Sequence, residues 1–426
     1  MRFLLGCLVA LAATASAPLG AQVPTREGPR DPQLRELVAE AVRNSPEIQA
    51  ARNEAEAARQ RGASAGALDD PMLEAGLLNV PTNSWSLNRE DMTMKMLGLT
   101  QRFPFPGKRA LRREVAERDA GTAEYGYRET VNRVAREVKL AYFDLALALE
   151  SVRLLKDTTR VLEQFLGIVE SRYSVGQGAQ PDVFKAQTQL AKMREELLRM
   201  ERERPVMEAE LAKLLGRPGA ASFAAPLPGT APLHLDLEAL RDTALRQRPQ
   251  LLGLRNVMEK NSVSIDLARK DYSPDFDVRF SYGQRESMLD GTRRPDLVSL
   301  TVAINLPIWG KEKLDPRIAE ARSMRDQAQS MYQAQQNEAF AKLRQQVAIA
   351  EQSRQSAALY DSAILPQARL AVESALSAYR VNRVDFLTLL DSQMSLLNFG
   401  IGRAAAAVNL NKALAEIALL TGAQEL

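Results

Sequence analysis

Cysteine is almost absent from the 426 residues, because the only one, Cys7, lies in an apolar stretch at the start of the chain. Beyond that stretch there is no thiol, which excludes disulfide bonds and cysteine-ligated metal sites. Histidine also occurs once, at His234, and a single imidazole neither forms a metal site nor completes a nucleophile–base pair. The sequence therefore predicts no catalytic residue and no bound cofactor.

An excess of charge of one sign is also lacking, since 56 basic residues face 53 acidic ones. A nucleic-acid-binding protein needs a concentrated basic face, and the arginine-rich stretch 108–118 is interrupted by Glu114 and Glu117, as on a solvated helix. The Gly-Lys pairs at 107–108 and 310–311 lack the upstream glycine and the following serine or threonine of a phosphate loop. These absences argue against binding of nucleic acid or nucleotide.

Long hydrophobic runs are missing as well. The apolar run 3–13 is too short to span a bilayer, and no other segment approaches the roughly 20 apolar residues that a transmembrane helix needs. Arg2 before this run and Leu19-Gly20-Ala21 after it predict a signal peptide over residues 1–21. Most of the run follows Cys7, which argues against lipidation of that residue. The chain is predicted to be exported, without a transmembrane helix in its mature form.

The chain contains an internal repeat. The first part of the repeat has an offset of 203 residues, seen in Pro46/Pro249, Pro71/Pro274, Pro104/Pro307, Gly107/Gly310 and Lys108/Lys311. The second part has an offset of 206, seen in Tyr173/Tyr379, Val175/Val381, Gln187/Gln393 and Gly216/Gly422. The repeats are predicted over 31–216 and 234–426, joined by a proline-rich linker over 217–233. The change of offset predicts three extra residues between 311 and 379, taken up as a stammer that overwinds the helix.

Each repeat is predicted to run helix, two strands, long helix, helix. Few aromatic residues (5%) and abundant alanine, leucine and charged residues are typical of long helices. In repeat 1, helix is predicted over 32–68, from 108 to about 171, and over 181–215. The long helix carries an apolar seam with alternating steps of 3 and 4, which indicates coiled-coil packing. The seam consists of Val131, Val134, Val138, Ala141, Leu145, Ala148, Val152, Leu155, Thr159, Leu162, Leu166 and Val169.

The strands are predicted at about 72–80 and 93–103 in repeat 1, and at about 275–284 and 297–306 in repeat 2. The second pair alternates apolar and polar residues over lengths that cross a bilayer as tilted strands. A soluble sheet packed on helices would show the same alternation. If the strands do meet lipid, four are too few to close a barrel, which needs about eight, and lipid forbids open edges. Several copies must then pool their strands, and three copies would supply twelve.

Two motifs mark the predicted hairpin tips between the long helices, and a third marks a strand-to-helix turn. The tip motifs are Arg172-Tyr173-Ser174-Val175-Gly176 with Pro181-Asp182-Val183, and Tyr379-Arg380-Val381-Asn382-Arg383 with Asp385 and Leu389-Leu390-Asp391. The turn is Gln101-Arg102-Phe103-Pro104-Phe105-Pro106-Gly107-Lys108-Arg109. Over residues 31–422 the chain resembles the TolC-like outer-membrane efflux proteins, and the turn resembles their heavy-metal-efflux branch.

The resemblance implies a mainly α protein with four β-strands, forming a homotrimer. Its twelve strands would close into a barrel in the lipid of the outer membrane, above a coiled-coil tunnel of long helices in the periplasm. It further implies an exit duct that is not an enzyme. A periplasmic adaptor (a membrane fusion protein) and a proton-driven inner-membrane pump would deliver the substrate. A soluble periplasmic coiled-coil scaffold or adaptor is the alternative, which the alternating strands disfavour.

The resemblance also implies roles for residues at the tips. Tyr379 and Asp182 match a tyrosine and an acidic residue that latch the closed tunnel, and Asp391 matches one of two aspartates at its narrowest point. Thr388 stands at the second aspartate position and Val384 at that of a latch arginine, with Arg383 displaced by one. The adaptor would contact the tips at Tyr173, Val175, Gly176, Val381, Asn382 and Arg383. Asn382 replaces the usual glycine, and asparagine tolerates the left-handed backbone that such a turn needs.

Each of these positions has a structural alternative. Asp182 fits the first turn of a helix, where the helix dipole favours an acidic residue. Asp391 fits a solvated helix face, and Tyr379 fits a packing position at a helix end. Met92, Met94 and Met96 share one face of a strand and are weak candidates for a soft-metal site, since thioethers suit Cu(I) or Ag(I). An apolar strip is the simpler interpretation of these methionines.

Overall fold

The computed structural model describes residues 31–217, 219, 222–230 and 235–423. The predicted signal peptide and His234 lie outside these ranges, as does part of the predicted linker. The protein is mainly helical, with one antiparallel sheet. In chain order the elements are α1 Pro32–Asn44, α2 Pro46–Ala65, β1 Met72–Leu78, β2 Met94–Phe103, α3 Lys108–Ser174, α4 Gln180–Leu214, α5 Leu237–Gln247, α6 Pro249–Lys270, β3 Phe276–Gln284, β4 Leu297–Ile304, α7 Asp315–Leu359, α8 Leu365–Arg380 and α9 Phe386–Thr421.

The first helix of each repeat is split in two, so the single helix predicted over 32–68 is wrong. Ser45 separates α1 from α2 with an extended backbone (φ −60°, ψ 121°), and Arg248 separates α5 from α6 in the same conformation (φ −64°, ψ 118°). Each of these residues precedes one of the repeated prolines, Pro46 and Pro249. Proline disfavours the helical conformation of the residue before it but fits the first turn of a new helix.

Helix α3 is a rod of 67 residues, about 100 Å long at a rise of about 1.5 Å per residue. Every position of the predicted seam is buried or half-buried, and seven of the twelve are buried. Helix α3 packs against α4 and α2 of its own repeat and against α6 and α9 of the other. The two repeats therefore share one continuous layer of long helices.

The matching rod of repeat 2 contains two wide π-helical turns, at Gly310–Leu314 and Tyr360–Ile364. Each lies just before a proline, Pro316 or Pro366, which lacks the N–H needed for a regular helical hydrogen bond. A π turn is underwound and accommodates an extra residue without ending the helix. The predicted overwound stammer is therefore wrong, because repeat 2 contains underwound turns in this stretch.

The described part of the connection between the repeats packs closely on repeat 1. Phe223 and Ala225 are buried against the core formed by α1, α3 and α4. The Arg217 side chain donates two hydrogen bonds to Glu40 (2.6 and 2.7 Å) and lies over the Phe223 ring at 5.5 Å. The connection between the repeats thus contributes Phe223 and Ala225 to the hydrophobic core formed by α1, α3 and α4.

The four strands form one sheet in the order β1-β2-β3-β4, with every neighbouring pair antiparallel. The central pair, β2 with β3, joins the two repeats, while β1 and β4 are edge strands. In the part of the chain that the structure describes, no helix is both long and apolar enough to cross a membrane.

Candidate gate at the helical tips and the exposed sheet

The two hairpin tips have the same backbone turn. Helix α3 connects to α4 through residues 175–179, and α8 connects to α9 through residues 381–385. Gly176 (φ 72°) and Asn382 (φ 63°) occupy equivalent left-handed positions. The amide N–H of each donates to the carbonyl three residues earlier, at 3.0 Å from Tyr173 and 3.1 Å from Tyr379. Asn382 thus adopts the conformation for which glycine is the usual residue.

Tyr379 lies inside the apolar cluster formed by helices α3, α4, α8 and α9, with only 3% of its surface exposed. Its ring meets the Phe386 ring edge-on at 5.8 Å, and the Arg172 guanidinium lies over the Tyr379 ring at 4.6 Å. Burial raises the pKa of Tyr379 above its ordinary value, against the effect of the Arg172 charge, and the charge of Asp182 adds to the rise. Tyr379 therefore occupies a packing position at a helix end, and Asp182 lies near enough for its charge to affect the Tyr379 hydroxyl.

Thr388 and Asp391 lie along one side of an open groove of about 340 Å³ between α8 and α9. The Thr388 amide and hydroxyl both donate to Asp385, at 2.9 and 2.5 Å. These bonds cap α9 and lower the pKa of Asp385. Asp391 is exposed in the same groove and has no ion pair among the described residues. One acidic side chain is thus free to face solvent near the tip, while Thr388 serves as part of a helix cap.

Apolar side chains project from the ends of both hairpins. Val175 and Val381, which are equivalent in the repeat, are 65% and 64% exposed. Tyr173, Asn382 and Arg383 are exposed beside them. The tip residues predicted to contact an adaptor are therefore accessible at the ends of the hairpins.

Arg172 is a tip residue whose role the sequence analysis missed. From the end of α3 its guanidinium donates to the Tyr379 carbonyl, to the Asn382 side chain (2.8 Å) and to the Gln177 carbonyl (3.2 Å). It therefore bonds to both tips at once. Its position in the first tip motif was visible in the sequence, but its contacts lie 207 and 210 residues away.

The sheet has one strongly apolar face, and no other part of the described chain covers it. The pairs Leu97/Tyr282, Leu99/Phe280, Phe280/Leu300 and Tyr282/Val298 lie directly opposite each other and so share this face. Large side chains exposed here, from 39% to 71%, are Leu73, Leu77, Leu97, Leu99, Phe280, Tyr282, Val298, Leu300, Val302 and Ile304. A patch this wide marks a surface in contact with lipid or another protein.

The opposite face of the sheet is mainly polar. An ion pair joins Glu74 on β1 to Arg279 on β3, across Gly98 of β2. A Cβ at Gly98 would lie 3.6 Å from the Arg279 Nε atom, an ordinary contact, so the ion pair does not depend on glycine at this position. Two faces of opposite polarity are typical of strands with lipid on one side and water on the other.

Two of the three methionines lie in different surroundings. Met94 is buried, and its sulfur lies against Gly283 of the neighbouring strand, whereas Met92 is about half exposed before the strand begins. Among the described residues there is also no group of three or more histidine, cysteine or acidic side chains that could hold a metal ion. The Met94 contact agrees with a packing role.

Arg294 joins the two loops at the far end of the sheet. It is buried and donates to the carbonyls of Glu286 (2.6 Å), Leu87 (3.0 Å), Glu90 (2.5 Å) and Asp91 (3.1 Å). One side chain thus connects the β1–β2 loop with the β3–β4 loop. The β1–β2 loop of repeat 1 and the β3–β4 loop of repeat 2 are therefore held together at this end of the sheet.

Lys108 anchors the turn where β2 leads into α3. Its side chain is 3% exposed, and its amino group lies 2.8 Å from Asp275 and 3.6 Å from Asp271. The Phe105 amide also donates to Asp275 (2.9 Å), and Gly107 begins the helix with a left-handed backbone (φ 94°). The turn of one repeat is thus held by carboxylates of the other.

Replacing Lys108 by alanine is expected to destabilise the protein by about 1–3 kcal/mol, because the buried Asp275 carboxylate loses its closest hydrogen-bond donor and keeps only the more exposed Arg102 guanidinium at 3.5 Å. Thermal unfolding in detergent, followed by circular dichroism, measures this loss. Lys313→Ala, which removes an exposed lysine without an ion pair in the described chain, is the matched control and should unfold like the parent. Equal stability of both variants would contradict the anchoring role.

Two repeats of long helices and one small sheet with an exposed apolar face define the class as a mainly helical protein whose sheet can contact lipid or another protein. The chain belongs to the outer membrane efflux protein family, whose sequence profile matches residues 37–217 and 240–423. This match confirms the resemblance to efflux proteins and the predicted outer-membrane location.

Individual relatives are distant in sequence. The alkaline protease secretion protein AprF of Pseudomonas aeruginosa is 24% identical over 63% of this chain, and the aligned part spans only 59% of AprF. The probable outer membrane lipoprotein SilC of Salmonella typhimurium is 22% identical over 86% of this chain and 80% of its own length. The crystal structure of the outer membrane protein VceC from Vibrio cholerae shares the fold, with a TM-score of 0.77 at 20% identity, over 92% of this chain and 96% of VceC.

Proposed function

We propose that this protein is the outer-membrane exit duct of a tripartite efflux system, working as a homotrimer. Twelve pooled strands would close into a barrel in the membrane, and twelve long helical segments would form the periplasmic tunnel. The observation that carries this proposal is the sheet, which has an uncovered apolar face and two open edges. Open edges cannot remain in lipid, so β4 of one copy must pair with β1 of the next.

The repeat predicts how these edges pair. Within the chain, Gln101 on β2 lies opposite Val278 on β3. Moving each residue by the 203-residue offset of the repeat places Ile304 of one copy opposite Ala75 of the next. Both lie on the apolar face of the sheet, as Leu77 and Val302 would in the adjacent pair. This pairing extends the apolar surface from copy to copy without interruption.

The duct itself would be passive. Substrate would be supplied by a proton-driven pump in the inner membrane, through a periplasmic adaptor that contacts the exposed tips around Val175 and Val381. The closed state would be latched by Tyr379 and Asp182, with Asp391 and Thr388 of three copies at the constriction. The resemblance of the 101–109 turn to the heavy-metal-efflux branch supports heavy-metal ions as a candidate substrate, carried through the lumen.

Cysteine pairs test the arrangement of the copies. The chain Ala75→Cys/Ile304→Cys should form covalent dimers and trimers on mild oxidation, because opposite Cβ atoms in a sheet lie about 4.5–5.5 Å apart, close to disulfide geometry. The background is favourable, since the only native cysteine lies in the predicted signal peptide. Covalent multimers are read on a denaturing gel after extraction of the outer-membrane fraction.

The control moves one cysteine by one residue. In Ala75→Cys/Ala303→Cys the second side chain points to the opposite face, so covalent multimers should be rare. Multimers from both pairs in equal yield would indicate random collision, and multimers from neither would argue against closure of the ring through β1 and β4.

A further inference from the structure

At the helical end of the sheet, two segments of the chain pack together within one copy. The turn segment of repeat 1 is 103–108, between β2 and α3, and the connecting segment of repeat 2 is 270–275, between α6 and β3. The Lys108 amino group donates to the Ser273 carbonyl (3.0 Å) and lies 2.8 Å from Asp275. The two segments therefore close the end of the sheet where the repeats meet.

The turn segment also contributes Phe105 to this contact. The Phe105 amide donates to Asp275 (2.9 Å), and the Lys270 amino group lies over the Phe105 ring at 5.4 Å. The Phe105 side chain is half-buried as a result. One apolar side chain and one cation of repeat 1 are thus covered by repeat 2.

The equivalent segments of the other repeat carry exposed apolar side chains. At the 203-residue offset, the turn segment corresponds to 306–311 after β4, and the connecting segment corresponds to 67–72 before β1. Ile308 in the first of these is 72% exposed. Leu68 and Met72 in the second are 38% and 64% exposed. The contact that covers such side chains at the other junction is therefore missing from the single chain.

The repeat predicts which of these side chains would meet in a junction between copies. Ile308 of one copy would contact Ala67 and Met72 of the next copy. These two residues correspond to Lys270 and Asp275, the partners of the aromatic ring within a copy. An apolar contact thus replaces a polar one, and its side chains leave water, which favours association.

The charges at the same positions are complementary. Lys311 corresponds to Lys108, but it is exposed and has no ion pair among the described residues. Ser273, whose carbonyl accepts from Lys108, corresponds to Asp70. Asp70 and its neighbour Asp69 are exposed carboxylates, also without an ion pair in the part of the chain that the structure describes. A lysine that reaches the backbone at this position would lie beside the Asp70 carboxylate.

We propose that segment 306–311 of one copy docks on segment 67–72 of the next, with Ile308 covered by apolar side chains and Lys311 paired with Asp70. The partner is a second copy of this chain, and the inference rests on the trimeric duct proposed above. Pairing of β4 with β1 brings the two segments together at the helical end of the sheet. A closed ring contains three such contacts, so a change in one contact acts three times.

Exchange of the two charges tests the ion pair. Lys311→Glu should lower the temperature at which trimers from the outer-membrane fraction dissociate on semi-native gels, because like charges then meet at each junction. Lys311→Glu/Asp70→Lys should restore most of the loss. The matched control is Lys313→Glu, which changes an exposed lysine whose equivalent, Ala110, lies outside the turn segment. This control should dissociate at the parental temperature. A double variant no more stable than Lys311→Glu, or an equal loss in the control, would overturn the pairing.

A carbodiimide that joins amino and carboxyl groups in direct contact tests the same pair with native side chains. Treated trimers should give covalent multimers on a denaturing gel. Mass spectrometry of the multimer band should find the peptide with Lys311 joined to the peptide with Asp69 and Asp70. Multimers in which Lys311 is not joined to that peptide would contradict the docking contact.

The cysteine pair Ala75→Cys/Ile304→Cys separates this inference from the proposed function. If that pair gives covalent multimers while Lys311→Glu dissociates at the parental temperature, the ring stands and the docking contact is wrong. If that pair gives no multimers, closure through β1 and β4 is wrong, and the inference falls with it.

Discussion

Replacing Asp391 by asparagine is expected to remove the cation selectivity of the channel. In the proposed trimer three Asp391 carboxylates lie around the symmetry axis, and a ring of acidic side chains attracts cations and repels anions. The side chain has no ion pair in the described chain that would neutralise it. Reversal potentials in bilayers with unequal salt on the two sides should show nearly equal permeability to cations and anions after the substitution.

The control for Asp391 is another exposed carboxylate of the same hairpin. Glu373 lies on α8 outside the groove that Asp391 and Thr388 line. Glu373→Gln removes the same charge and should leave the reversal potential unchanged. If Asp391→Asn also keeps the parental selectivity, Asp391 is an ordinary solvated residue and the constriction lies elsewhere.

Replacing Leu300 by arginine is expected to prevent assembly in the outer membrane. Leu300 lies on β4 at the apolar face and is 71% exposed in the single chain. A cationic side chain on the lipid face of a membrane strand costs about 2–4 kcal/mol near the bilayer centre, and the trimer would contain three of them. Heat-stable trimers should therefore disappear from the outer-membrane fraction on semi-native gels.

The neighbouring residue on the same strand is the matched control. Ser299 lies on the polar face opposite Ser281, so Ser299→Arg places the same charge toward the lumen. This variant should assemble normally. A soluble scaffold would tolerate both substitutions, because both positions are exposed to water, so normal assembly of Leu300→Arg would contradict contact between this face and lipid.

The sequence was most informative where a local pattern decides the structure. The alternating residues of β3 and β4 indicate strands because each side chain must face one of two surfaces, and the observed strands lie within the predicted stretches. The apolar seam of α3 indicated which side of that helix is buried, because residues spaced by three and four lie on one side of a helix. The left-handed turn at Asn382 was expected from its equivalence to a glycine position, and it is present at φ 63°.

The local irregularities of the helices were not predicted. Pro46 and Pro249 were recognised as repeated residues, but their effect on the preceding residue, which splits the first helix of each repeat, was overlooked. The three-residue change of offset was interpreted as overwinding, whereas the structure has two underwound turns, each before a proline. A single sequence shows how many extra residues repeat 2 contains, but it does not show which helical turns accommodate them.

Contacts between residues far apart in sequence were beyond the sequence analysis. Arg172 reaches Tyr379 and Asn382 because α3 packs along α9 over many turns, and no local pattern records that packing. Lys108 meets Asp275 in the same way, across the boundary between the repeats. Both contacts join one repeat to the other, so they depend on the register between the repeats rather than on either motif alone.

The central claim is that three copies form one duct in the outer membrane. The most direct measurement is the mass of the particle extracted with detergent from the outer-membrane fraction of cells expressing the full chain, determined by light scattering with the detergent contribution subtracted. We expect the protein mass of three chains, with little protein in the soluble periplasmic fraction. A monomer or dimer released into the periplasm without detergent would contradict the account.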